Sequence, residues 1–209
     1  MSARGRASVT LLGMLRFELS DGCHLRLLEE SDANELFALI DTDRAYLSRW
    51  LGWAPGQDLE GTLEFIRLTL RQLADNTGFT VAIVRDGAVA GIVGLEPLDW
   101  THRSTSVGYW LGERHQGQGI MTRAVGALVD HAISAWKLNR IEIRAALENV
   151  RSRAIPQRLG FREEGVLREA ERIGDGYLDI VVYSMLGTEW RSSADTADPP
   201  GSDGDIESE

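Results

Sequence analysis

Two kinds of apolar spacing alternate along the chain, and their order predicts a fold. Leu15–Leu19 and Cys23–Leu28 are short strand-like runs joined through Ser20-Asp21-Gly22, whose Asp-Gly pair favours a hairpin turn. Ser31 is placed to cap a helix with Asp32 in its first turn, and Leu36, Phe37, Leu39 and Ile40 give that helix an apolar face. An aromatic-rich stretch, Tyr46 to Trp53, ends at Pro55-Gly56. From Asp58 the spacing predicts a second helix to about Ala74, with Leu59, Leu63, Ile66, Leu70 and Leu73 on one side. Phe79–Arg85 and Ala88–Leu95 flank Asp86-Gly87, a second hairpin signal, and the alternating Ser104–Leu111 completes a meander. A helix over Ile120–Trp136, a strand over Arg140–Ala146, a short helix over Arg151–Leu159 and strands over Phe161–Leu167 and Tyr177–Leu186 follow. The order β-β-α-α-β-β-β-α-β-α-β-β predicts a mixed sheet with helices on its faces, α/β or α+β.

Composition limits the picture without changing it. The 209 residues suit one domain of ordinary size, and 43% apolar content supports a sizeable core. We draw the boundaries as an N-terminal arm (1–14), a single domain (15–190) and an acidic tail (191–209). The tail carries six acidic residues against one Arg, with prolines, glycines and serines and almost nothing apolar, a composition expected to stay disordered. The net charge of −10 argues against a general nucleic-acid binder, and discounting the tail leaves about −5. Arg4-Gly5-Arg6 before Val9–Leu15 resembles an export signal only weakly, because Arg16 and Glu18 interrupt it and no small-residue cleavage site follows. No segment approaches the length of a membrane-spanning helix. The lone Cys23 excludes an intrachain disulfide and fits a reducing cytoplasm. His102, His115 and His131 lack metal-ligand spacing, so no metal is expected.

The chemistry enters at Gly117 and Gly119, two apart and directly between a strand and a long helix. Glycine there permits a tight turn and lets a ligand approach without meeting a Cβ. The first amides of the following helix, together with its dipole, form an anion site, and Arg114 adds a positive charge suited to phosphate. A strand-to-helix turn that merely needs glycine satisfies the loop equally well. A nucleoside-triphosphate loop needs Lys-Ser or Lys-Thr after its last glycine, and Ile120-Met121 stands there instead. A dinucleotide fingerprint needs a third glycine and an acidic residue in a different context.

Beyond the loop, Arg114-His115-Gln116-Gly117-Gln118-Gly119 resembles the Arg/Gln-x-x-Gly-x-Gly/Ala signature of the GCN5-related N-acetyltransferases (GNAT). Gly108-Tyr109-Trp110-Leu111-Gly112, Gln116–Thr122, Asn149-x-x-Ser152 and Arg158-Leu159-Gly160-Phe161 resemble its RimJ/RimL branch, over nearly all of Leu15 to Trp190. That branch acetylates protein N-terminal amines, ribosomal proteins among them. The resemblance implies a twisted, mostly antiparallel sheet whose central strands, ending at Leu111 and spanning Arg140–Ala146, splay to admit the pantetheine arm of acetyl-CoA. It implies a bulge within Tyr109, Trp110 and Leu111 whose backbone groups hold pantetheine and polarise the thioester carbonyl. The amides of Gln116, Gly117, Gln118, Gly119, Ile120 and Met121 would take the pyrophosphate.

By the same resemblance Ser152 is the candidate general acid for the departing thiolate, Asn149 positions the cofactor arm, and Glu171 receives the amine's proton. Asn149 and Ser152 also suit helix capping, and Glu171 also suits a solvated charged loop. The tyrosine that most of the superfamily carries near the sulfur is replaced by Pro156, which is expected early in its helix. Cys23 has no His neighbour except His24, which disfavours an acyl-cysteine route. Tyr46, Trp50 and Trp53, with Trp100 after the Ala88–Leu95 strand, are candidates for an aromatic acceptor wall, and core packing is the competing role for the tryptophans. The acceptor is expected to be an α-amine of a protein terminus or of an aminoacyl- or peptide-like small molecule, attacked directly in a ternary complex. Acetylation of an antibiotic or polyamine, and a non-catalytic acetyl-CoA sensor, are the alternatives. A homodimer is expected from the resemblance alone.

Overall fold

The computed structural model describes residues 16–20 and 22–190; the expected arm and tail, with Leu15 and Asp21, lie outside the described residues. The strands are β1 (Phe17–Glu18), β2 (Cys23–Leu27), β3 (Phe79–Arg85), β4 (Ala88–Leu95), β5 (Ser104–Leu111), β6 (Arg140–Ala146), β7 (Arg162–Ile173) and β8 (Gly176–Leu186). The α-helices are α1 (Ala33–Thr42), α2 (Arg44–Leu47), α3 (Leu59–Ala74), α4 (Ile120–Ser134) and α5 (Val150–Arg158). The described strands form one sheet in the order β1-β2-β3-β4-β5-β6-β8-β7, antiparallel everywhere except between β5 and β6.

Alternation along the central strands feeds two cores, one on each face. Val81, Ile83, Val107 and Ile143 pack with Ala124 and Leu128 of α4. Ala82, Val84 and Trp110 point the other way, onto Leu36 and Ile40 of α1 and Ile66 of α3. Each fully buried aliphatic side chain stabilises the fold by about 1.5–3 kcal/mol. The sheet thus has helices on both faces, as the periodicity predicts.

The site depends on a split in the middle of the sheet. β5 and β6 pair only over Ser104–Val107 and Arg140–Ile143. Beyond that, β5 continues to Leu111 against β4, while β6 continues to Ala146 against β8. Each strand follows its antiparallel partner as the sheet twists, and a gap opens between them. The bulge expected within Tyr109–Leu111 is not there: the β4–β5 register is unbroken from Leu95↔Val107 to Gly91↔Leu111. A Cβ on Gly91 would run into the Trp110 carbonyl, so glycine lets β4 sit close along this stretch. Divergence from β6, not a bulge, opens the cleft.

Other expectations shift locally. Helix α1 starts at Ala33 after a 3-10 turn over Glu30–Asp32, and Ser31 is not its cap. Asp32 instead accepts from the Glu29 amide at 2.8 Å and pairs with Arg26 through two contacts of 2.7 Å. Asp58 caps α3 by accepting from Gly61 N, but Leu59 is exposed, and Thr62, Ile66 and Thr69 form the buried stripe. Pro156 is the seventh of nine residues in α5 rather than early in it. The largest difference is β7, which runs through Arg168–Arg172 to Ile173 where a charged loop was expected. It is exposed along nearly its whole length and pairs with β8 alone at the sheet edge.

Candidate functional site

Four segments border the split between β5 and β6 and enclose a cleft of about 960 Å³. The end of β5 forms its floor with Tyr109, Trp110 and Leu111. After Gly112, a 3-10 turn (Glu113–His115) leads into the glycine loop. Asp43, at the α1–α2 junction, anchors that entry by accepting from the Glu113 amide at 2.8 Å. Gly117 and Gly119 take φ values of +73° and +71°, the left-handed region where glycine costs least. Nothing stands within 4 Å of where a Cβ on Gly117 would lie, so the loop leaves open space above it. Gly119 is the N-cap of the fifteen-residue α4, with Ile120 and Met121 in its first turn lining the cleft. The open space at Gly117 and the unsatisfied amides of the α4 N-terminus fit a pyrophosphate.

The opposite wall is α5. Asn149 caps it, its Oδ1 accepting from Ser152 N at 3.1 Å, so its capping role is met in full. Ser152 faces the cleft with its Oγ 3.2 Å from the Tyr109 hydroxyl, and that hydroxyl donates to the Ser152 carbonyl at 3.1 Å. Burial pushes the Tyr109 phenol up to about 12, with the Ser152 contact opposing the shift. Arg151 donates to Gln116 Oε1 at 3.0 Å and links the two walls at the cleft's mouth.

The structure brings most predicted residues together, but not all. Gln116, Gly117, Gly119, Asn149, Ser152 and Trp50 line the cleft. Arg114 lies outside the lining, its Nε donating to His115 Nε2 at 2.9 Å. Gln118 is also outside it, accepting from Arg85. The positive charge on the cleft comes instead from Arg123 of α4 and Arg151 and Arg158 of α5. None of these arginines is assigned to the cofactor from the sequence alone, although residues 151, 154, 155 and 158 share one helical face. His115 also lines the cleft, and burial together with Arg114 and Arg85 pushes its imidazole below the usual range.

In the aromatic segment, Tyr46 and Trp50 reach the cleft, while Trp53 is 42% exposed with its ring centroid 6.3 Å from that of Trp110. Arg44 holds this segment by donating to the carbonyls of Ala54 and Gln57 at 2.6 and 2.9 Å. A Cβ on Gly52 would come within 3.2 Å of the Arg172 carbonyl, so the aromatic turn packs against the β7–β8 ribbon beside Glu171. Glu171 itself is exposed, paired with Leu178, and outside the cleft lining. Trp100 has no place in this wall. It packs edge-on to Trp136 at 5.9 Å, and its Nε1 donates to the Asn76 carbonyl at 2.7 Å.

Among the described residues, no group of three or more His, Cys, Asp or Glu side chains is placed to hold a metal ion. No described helix is long and apolar enough to cross a membrane.

A family model described as the acetyltransferase (GNAT) domain matches residues 23–162. The chain belongs to the GNAT acetyltransferase family. It is 35% identical, over 85% of its length and 98% of the relative's, to the Bacillus subtilis (strain 168) protein named "Putative ribosomal N-acetyltransferase YdaF". Among solved structures it resembles RimL, a ribosomal L7/L12 alpha-N-protein acetyltransferase in complex with coenzyme A, at TM-score 0.79 and 26% identity, covering 82% of this chain and 97% of that one. It also resembles the microcin C7 self-immunity acetyltransferase MccE in complex with acetyl-CoA and AMP, at TM-score 0.79 and 26% identity, covering 84% and 98%. The protein is an N-acetyltransferase with acetyl-CoA as its donor, and neither the antibiotic or polyamine reading nor the non-catalytic sensor is favoured.

Proposed function

We propose that this GNAT enzyme acetylates the α-amine of a protein or peptide N-terminus by direct attack within a ternary complex. The observation that carries the reading is the Ser152 hydroxyl, held in the cleft where β5 and β6 part, opposite the glycine loop. Acetyl-CoA supplies the activated acetyl group. The amides of Gln116–Met121 bind its pyrophosphate, and backbone groups of Tyr109–Leu111, past the end of the β5–β6 ladder, orient the thioester arm. Asn149 sets the first turn of α5, and Ser152 holds a proton at Oγ for the departing sulfur. Glu171, carried by β7 next to the aromatic turn, receives the proton of the amine. Trp50 and Trp53 flank the acceptor's path.

A ribosomal-protein terminus is the favoured acceptor, supported by the names of YdaF and RimL. The half-exposed Trp53 beside Trp110 favours a second reading, an aminoacyl-type small molecule with a flat ring, in line with the AMP bound to MccE. A cytoplasmic location goes with the proposal, supported by the lone Cys23, which is buried. So does a homodimer, supported by the edge strand β7 and the exposed Val166, Leu167 and Tyr177.

The test is acetyl transfer from acetyl-CoA to short peptides with free α-amines, to the same peptides with blocked termini and an internal lysine, to an aminoacyl-nucleotide and to spermidine. Turnover confined to α-amines is expected, and Ser152→Ala and Glu171→Gln should each lower kcat roughly 100-fold or more. Turnover of spermidine or blocked peptides in preference to α-amines would reject the acceptor class. Full activity in the Ser152→Ala/Glu171→Gln double variant would reject the two roles.

A further inference from the structure

Pro156 leaves one backbone acceptor free, and Tyr109 takes it. In a regular helix the amide of residue 156 would donate to the Ser152 carbonyl four residues earlier, but proline has no amide hydrogen. The phenol of Tyr109, reaching across from β5, donates to that carbonyl at 3.1 Å. The same phenol oxygen lies 3.2 Å from Ser152 Oγ. One hydroxyl therefore sits within hydrogen-bond distance of both oxygens of Ser152, and Tyr109 and Ser152 line the same cleft. The phenol against Ser152 thus comes from the sheet and not from α5 itself.

We propose that Tyr109 is a positioning residue that acts through Ser152, aiming its hydroxyl and stabilising the serine oxygen as its proton leaves. The inference rests on Ser152 being the acid. When the C–S bond breaks with its electron pair on sulfur, the Ser152 Oγ–H proton moves to sulfur. The phenolic O–H turns from the Ser152 carbonyl to the serine oxygen, a swing between two acceptors of one residue. Ser152 then recovers a proton from solvent, to which Glu171 releases the one it took from the amine, and Tyr109 keeps its own proton throughout. Burial supports this division of labour, because a phenol pushed up to about 12 stays a donor across the working pH range.

The test is a mutant cycle in the full-length enzyme with a peptide α-amine as acceptor. Tyr109→Phe should lower kcat roughly 10- to 100-fold, with the KM for acetyl-CoA within about twofold of wild type. The Tyr109→Phe/Ser152→Ala double variant should be no slower than Ser152→Ala alone, because the phenol acts only through the serine. If Ser152→Ala is crippled but Tyr109→Phe keeps wild-type kcat, Tyr109 has no role and Ser152 remains the acid. If Ser152→Ala is fully active, the acid reading itself falls, and this inference with it. Multiplied losses in the double variant overturn the coupling. A second measurement needs no loss of side-chain volume: difluorotyrosine at position 109 lowers the phenol's pKa. The high-pH limb of kcat should then move to lower pH, and an unmoved limb contradicts the proposal.

Discussion

The proposed donor and acceptor sides of the site are held in different ways. The donor wall is fixed by backbone and caps: the unbroken β4–β5 register, Gly119 at the head of α4, Asn149 at the head of α5, and Tyr109 pinning α5 to the sheet. The proposed acceptor side is a turn and an edge ribbon next to the cleft. Its Trp53 and Glu171 are exposed, and its parts meet through Arg44 and the close approach of Gly52 to Arg172. The donor side is thus built largely from main chain and helix caps. An acceptor is recognised by side chains on loops and edges, where substitution disturbs little packing.

Three changes would break or sharpen this contrast. The largest effect is expected from Gly119→Val, which forces a β-branched residue to φ +71° and sets a Cβ 3.0 Å from Arg123 Nη1. Strain of about 1–3 kcal/mol at such a position corresponds to a roughly 10- to 100-fold weaker Kd for coenzyme A, readable by calorimetry. The acceptor KM, measured at saturating donor, should stay near wild type. Trp53→Ala should do the reverse, raising the acceptor KM roughly 2- to 10-fold with the coenzyme A Kd unchanged. If it weakens coenzyme A instead, the two walls are not separable.

The smallest effect on either wall is expected from Asp32→Asn, because the Arg26–Asp32 pair lies between β2 and α1, outside the cleft lining. Burial works to raise the Asp32 pKa, but hydrogen bonds from Arg26 and the Glu29 amide outweigh it and hold the carboxyl below its usual range. A depressed folded-state pKa gives stability that is present above the ordinary carboxylate value of about 4 and lost as pH falls through the folded one. Thermal melts of Asp32→Asn should therefore show about 1–3 kcal/mol less stability at neutral pH and a shallower decline on acidification. Both kinetic constants should stay within about twofold of wild type, and a large change in either would mean the pair shapes the site.

The same contrast explains what the sequence made legible. The bounds of β3 and β4 follow from apolar runs buried on both faces about an Asp-Gly turn, and those of β5 and β6 from apolar alternation against a more exposed face. The glycine loop is visible because its backbone geometry demands glycine. The second half of β7 leaves no such trace: Arg168-Glu169-Ala170-Glu171-Arg172 is exposed, so no apolar period marks it as a strand. Its pairing is imposed by β8, which is buried through Ile180, Val181, Tyr183 and Met185. The Tyr109–Ser152 contact joins residues 43 positions apart and was hidden for a different reason. Its one sequence trace is Pro156, whose missing amide implies a carbonyl in need of a donor.

The most direct test of the account is amide hydrogen exchange, followed by mass spectrometry, on the full-length protein with and without acetyl-CoA. The account predicts new protection in peptides spanning Tyr109–Met121 and Asn149–Ser152, and none in the β7–β8 ribbon over 162–178. Unchanged exchange in the first two segments, or protection confined to the ribbon, would contradict a donor site built on the split between β5 and β6.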